Sequence, residues 1–78
     1  MKIGTVTGSV WATKKSPALT GQILLRVTSD GAEYIACDLV GAGVGERVIL
    51  AFGSAARVGQ EKIPADAAIV GILDEAEE

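Results

Sequence analysis

The stretch DLVGAGVGERVIL, residues 38–50, decides how this chain folds. It carries three glycines in five residues, Gly41, Gly43 and Gly45. Glycine loops that bind nucleotides lead into a helix, because the helix N-terminus faces the phosphate. This loop leads instead into RVILAF, an apolar and β-branched run that predicts a strand. The spacing also differs from G-x-G-x-x-G, and no Gly-Lys-Ser/Thr follows. The sequence therefore indicates a tight connection between strands, or a loop pressed against another chain, and not a nucleotide site.

Strands are predicted on both sides of this loop, separated by turn residues. The five predicted strands are residues 2–13, 22–28, 33–40, 47–52 and 66–73. Gly4 and Gly8 of the first are expected to be bends or points of close approach. The sequence Ser29-Asp30-Gly31 predicts a hairpin turn, because Asp-Gly favours the positive φ angles of such turns. Residues 14–21 read as a loop, and residues 53–64 as a longer connection in which residues 54–57 could form one helical turn. The fold class is thus all-β, a small five-stranded barrel with a short helical turn.

Two of these strands are apolar on both faces. Residues 48–52 and 67–73 lack the alternation of apolar and polar side chains that a solvent-exposed barrel wall requires. One face can fill the barrel, and the other face needs a cover. We favour a neighbouring subunit as that cover; the alternative is that the connection after the fourth strand folds back over the wall.

Length and composition limit the chain to one small domain. The protein has 78 residues, which we assign to a barrel domain at residues 1–74 and an acidic tail at residues 75–78. Its single cysteine, Cys37, excludes an internal disulfide and is expected to act as a small buried hydrophobe. No signal peptide and no membrane span are expected, and this composition suits the cytoplasm.

The glycine loop resembles a signature of the pentameric vertex proteins of bacterial microcompartment shells, the EutN/CcmL family. Three further segments resemble the same family in order and spacing: MKIGTVTGSVWATKKSPALTGQILLRV at residues 1–27, GSAAR at residues 53–57 and PADAAIVGILD at residues 64–74. The resemblance implies an OB-like β-barrel that assembles as a cyclic homopentamer. Such pentamers occupy the corners of a polyhedral shell in the cytoplasm, beside hexameric or trimeric shell proteins. It implies a structural function without cofactor or metal.

Candidate site residues follow from the resemblance. The loop residues expected at a subunit interface are Asp38, Gly41, Gly43, Gly45 and Glu46. The residues expected at a five-fold pore or interface are Gly53, Ser54, Ala55, Ala56 and Arg57. Arg57 would contact Glu46 or Asp38 across the seam, although a solvated Arg57 is an equal alternative. The residues themselves suggest a further contact: Asp38 lies in an apolar strand and needs partners, for which the amides of the glycine loop are suitable.

Two other classes of function fit the sequence less well. An OB-fold module that binds single-stranded nucleic acid needs stacking aromatic residues and a basic groove. This chain has three aromatic residues, a net charge of −3 and no basic cluster. An enzyme is also disfavoured, because the chain has no histidine and one cysteine, which excludes His-based triads and Cys₄ zinc sites.

Overall fold

The computed structural model describes residues 1–53 and 65–74 and contains a closed five-stranded barrel. The strands are β1 (Lys2–Ser9), β2 (Leu24–Ser29), β3 (Ala32–Asp38), β4 (Arg47–Phe52) and β5 (Ala67–Ile72). Around the barrel they lie in the order β1-β2-β3-β5-β4, and β4 pairs with β1 to close it. All neighbours are antiparallel except β3 and β5, which are parallel. The structure confirms the predicted all-β barrel of five strands.

The first strand is shorter than predicted. It ends at Ser9, not at residue 13, and its pairing with β2 continues only through the amide of Val10, which donates to the carbonyl of Leu24 at 3.0 Å. The chain then enters a loop that contains a short 3₁₀-helix at Pro17–Leu19, capped by the hydroxyl of Ser16. Proline favours the first position of a helix, and this explains a helical turn inside the predicted loop. The helical turn predicted at residues 54–57 lies outside the described residues.

The hairpin between β2 and β3 has the predicted tight turn. Ser29 pairs with Ala32, so two residues connect the strands. These residues, Asp30 and Gly31, have φ angles of 51° and 78°, as the hairpin turn that matches strand twist requires. The side chain of Ser29 is buried, and its hydroxyl donates to the carbonyl of Ile3 at 2.7 Å. The turn is thereby attached to β1.

The barrel interior is filled by aliphatic side chains from alternating strand positions. The largest fully buried ones are Leu50, Ile69, Val6, Val27 and Val48. Close packing of this kind leaves no room for a side chain at Gly4, where a Cβ would lie 2.7 Å from Val27 Cγ1 and 2.9 Å from the carbonyl oxygen of Thr28. Gly4 is thus a point of close approach between β1 and β2, as predicted.

The parallel pairing of β3 with β5 determines where the glycine loop begins. Asp38 pairs with Ile69, and its amide donates to the carbonyl of Ile23 at 2.8 Å. Leu39 then donates its amide to the carbonyl of Ile69 at 3.2 Å. The end of β3 is held between Ile23, which directly precedes β2, and β5, and from this fixed point the chain crosses to β4.

Candidate assembly site

The carboxylate of Asp38 organises the first half of the glycine loop. Its Oδ1 accepts hydrogen bonds from the amides of Val40 and Gly41, both at 3.1 Å, and its Oδ2 accepts from the amide of Ala42 at 2.9 Å. The predicted bonding of Asp38 to the loop amides is confirmed. It also explains why β3 ends at Asp38, two residues earlier than predicted, because the amides that follow turn toward the carboxylate and leave the ladder.

The carboxylate of Glu46 organises the second half. Its Oε1 accepts a hydrogen bond from the amide of Gly43 at 2.6 Å. The backbone then joins β1 through two bonds, from the amide of Gly45 to the carbonyl of Val6 at 2.8 Å and from the amide of Val6 to the carbonyl of Glu46 at 3.0 Å. Both ends of the loop are fixed, so the loop holds one shape before it meets any partner.

The three glycines have different roles in this loop. Gly41 and Gly45 have φ angles of 79° and 91°, which other residues adopt only with strain. A Cβ at either position would meet no atom within 4 Å, so the requirement is conformational. Gly43 has no positive φ, and a Cβ there would lie 3.4 Å from Glu46 Oε1. The loop is therefore tightly folded within the single chain, which is one of the two outcomes predicted for it.

The loop exposes apolar side chains despite its rigid backbone. Val44 is 67% exposed, and Leu39 and Val40 are also exposed. Fixed loops that present aliphatic side chains to solvent are typical of protein–protein contact surfaces. The arrangement suits docking and offers little for catalysis, because both carboxylates already bind amides of their own loop.

A second apolar surface lies on the outer wall of the barrel. Ile3 of β1 pairs with Ile49 of β4, which pairs with Gly71 of β5, so the three positions lie in one row on the outer face. Ile3 is 51% exposed, and Ile49 is partly covered because its Cδ1 lies over Gly71. Met1 and Leu73 adjoin this row. We call these residues, Met1, Ile3, Ile49 and Leu73, the outer wall.

The expectation that the outer side of β5 needs a second subunit is only partly correct. Ala68 points outward from β5, yet it is fully buried in the single chain together with Cys37. Leu24 and Val70 pack against this pair. Exposed apolar surface remains on the side of β5 that faces β4 and β1, where the outer wall lies.

Cys37 is a small buried hydrophobe, as predicted. It is enclosed between β2 and β5, and burial raises the pKa of its thiol above the usual value. Among residues 1–53 and 65–74, no three side chains of histidine, cysteine, aspartate or glutamate come together as metal ligands. In the same residues, no helix has the length and apolar character needed to cross a bilayer.

Of the second predicted motif, residues 53–57, the structure describes Gly53. Gly53 has a φ of 63°, and its amide donates to the carbonyl of Asp66 at 2.9 Å. Ser54, Ala55, Ala56 and Arg57 lie outside the described residues, so their place at a pore and the contact of Arg57 stay predictions.

One exposed residue was missed by the sequence reasoning. Trp11 is 90% exposed, two residues after the end of β1, beside the exposed side chain of Ile23. The exposure of Trp11 was not predicted because the first strand was expected to continue through residue 13, and a residue within a barrel strand is expected to pack on a neighbour. The signal that could have found it is the proline and lysine content of the segment that follows, which limits the strand.

Comparisons with known proteins match nearly the whole chain. The family model described as ethanolamine utilisation protein EutN/carboxysome matches residues 1–74. The microcompartment shell vertex protein PduN of Salmonella typhimurium is 44% identical over 87 aligned positions, covering 95% of this chain and 96% of PduN. The solved structure of GrpN, a pentameric microcompartment shell protein from Rhodospirillum rubrum, superposes with a TM-score of 0.86 at 42% identity, covering 95% of this chain and 93% of GrpN.

A second pentameric shell protein, MSM0273 from the RMM microcompartment, superposes with a TM-score of 0.90 at 36% identity. That match covers 100% of this chain and 95% of the other. The barrel order and these matches agree with the resemblance seen in the sequence. This chain belongs to the EutN/CcmL family.

Proposed function

We propose that this chain is a structural shell protein, five copies of which form the vertex of a polyhedral bacterial microcompartment. The observation that carries this proposal is the agreement in fold and length with shell proteins that are themselves pentameric. The exposed aliphatic side chains support it, because a single small barrel seldom leaves so many in water. The location that goes with this role is the shell, inside the cytoplasm.

The site residues proposed for subunit contact are those of the glycine loop, residues 38–46. Asp38 and Glu46 shape it, Gly41, Gly43 and Gly45 permit that shape, and the loop presents Val44. In a ring, each interface joins two different surfaces of neighbouring copies, so the loop would meet a surface other than itself. We propose that residues 53–57 line the five-fold opening.

The proposed partners beyond the ring are hexameric or trimeric shell proteins. Five-fold units placed in a six-fold sheet force curvature, and curvature closes the shell. The role requires neither cofactor nor metal, and we propose no catalytic activity, in keeping with the structural names of the relatives. The absence of histidine removes the commonest general base. A nucleic-acid-binding barrel is the less favoured function, since Trp11 would be its only exposed aromatic among the described residues.

Two measurements test this proposal. Native mass spectrometry of the purified protein at micromolar concentration should give a dominant species of five subunits. Co-expression with a shell hexamer should give closed particles in electron micrographs, whereas the hexamer without this chain should give open sheets or tubes. A wild-type protein that stays monomeric, or closed particles that form equally well without it, would contradict the proposed function.

A further inference from the structure

We propose that neighbouring copies of this chain join by inserting Trp11 of one copy into the outer wall of the next. This inference rests on the proposed ring and adds a second contact to the one proposed for the glycine loop. Trp11 is 90% exposed, next to the exposed Ile23. A tryptophan buries about 150–250 Å² when it is enclosed. Trp11 would therefore contribute strongly to binding if a partner enclosed it.

The outer wall provides a recess of suitable size and character. Met1, Ile3, Ile49 and Leu73 line a depression of about 460 Å³ on the outer face of β1, β4 and β5. Ile3 is half-exposed at its centre, and the absence of a side chain at Gly71 lets Ile49 lie flat on the sheet. Pockets that take rings of this size are lined mainly by such aliphatic groups. By comparison, the hollow beside Trp11 measures about 120 Å³.

One pair of opposite charges can form between the two surfaces, although the depression is lined by Lys2 as well as Asp30. Lys15 lies at the hollow beside Trp11, and Asp30 lies at the edge of the outer-wall depression. In the part of the chain that the structure describes, neither side chain has an ion-pair partner within its own copy. Lys2, also at the depression, donates from Nζ to the hydroxyl of Tyr34 at 3.3 Å. Lys15 of one copy can therefore face Asp30 of the next, which orients the contact.

The two surfaces are formed by separate parts of the chain. A ring needs two different surfaces on separate parts of each subunit. Ile3 lies near the start of β1 and Trp11 lies two residues beyond its end, a separation of eight residues that in extended chain corresponds to up to roughly 26 Å. A stable interface buries about 800 Å² on each partner, so two such faces would cover about a third of the 4954 Å² of subunit surface. An enclosed Trp11 would account for about a quarter of the area buried on its own copy.

Two variants and their mixture test this pairing. Trp11→Ala removes the inserted ring and keeps the depression, whereas Ile3→Glu places a charge in the depression and keeps Trp11. Each variant alone should need a protein concentration about thirtyfold higher or more for half-assembly. Their equimolar mixture can form a single intact contact and should give one-to-one dimers in native mass spectrometry. Ile35→Glu is the matched control, since Ile35 is 46% exposed on the outer face of β3, and it should keep the pentamer.

Trp11 also reports on the contact directly, because it is the only tryptophan. Its emission should shift to shorter wavelength as the wild-type protein assembles, and again in the mixed dimer. A pentamer that survives Trp11→Ala, a mixture without dimers, loss of the pentamer in the Ile35→Glu control, or emission unchanged on assembly would overturn the pairing. A wild-type protein that is monomeric would instead overturn the proposed ring. Circular dichroism of each variant verifies the fold, which these exposed positions should leave intact.

Discussion

Replacement of Asp38 by alanine should destabilise the barrel by about 2 kcal/mol. The carboxylate accepts three amide hydrogen bonds, and bonds to a charged acceptor are worth about 1.5–3 kcal/mol when water is excluded. The amides of Val40 and Gly41 are exposed, so water replaces the carboxylate there and each loss costs about 0.5 kcal/mol. The amide of Ala42 is partly buried and accounts for about 1 kcal/mol.

The assay is urea unfolding followed by circular dichroism, with variants compared at equal protein concentration, because assembly adds to the apparent stability. Asp38→Asn is the matched control. It keeps one acceptor oxygen and the capacity to turn the chain, so it should lose about half as much as Asp38→Ala. If Asp38→Ala changes the free energy of unfolding by less than about 0.5 kcal/mol, or if Asp38→Asn is as stable as wild type, the carboxylate does not hold the loop.

Three further predictions concern positions elsewhere in the barrel. Gly4→Ala should cost about 2 kcal/mol or more in urea unfolding, because the new Cβ would lie 2.9 Å from the backbone oxygen of Thr28; a loss below about 0.5 kcal/mol would refute the close approach. Gly45→Ala should cost about 1–2 kcal/mol through its positive φ, whereas Gly43→Ala should stay within about 0.5 kcal/mol of wild type, and equal effects would contradict their separate roles. Burial raises the pKa of the Cys37 thiol in the folded state. The resulting contribution to the free energy of unfolding is fully present below the thiol pKa of the unfolded chain and is lost as pH rises through the thiol pKa of the folded state. Stability should therefore fall above about pH 8.5 more steeply in wild type than in Cys37→Ala, and thiol alkylation of the native protein should be slow; parallel pH profiles would argue against the burial.

Much of this fold follows from local patterns in the chain. The apolar, β-branched run after the glycines predicts β4 with its observed bounds, Arg47–Phe52, because side-chain alternation and branching act within a few residues. The turn at Asp30 and Gly31 is local for the same reason, since its φ angles depend on those two residues. The need of Asp38 for hydrogen-bond partners was also predictable, because a carboxylate next to apolar positions is costly without them.

The tertiary structure decided what depends on contacts between distant segments. Asp38 reaches the loop amides in a fixed direction because Ile23 and Ile69 hold the end of β3 from both sides, and no local pattern encodes that register. The same closure buries Ala68 against Cys37 on the outside of the barrel and leaves the row at Ile3 open. The sequence alone thus determined the strands, the tight turn and the family, since these follow from residue types in short segments. The folded barrel determined which apolar surfaces remain for a neighbour, because exposure is set by strands that meet only when the sheet closes.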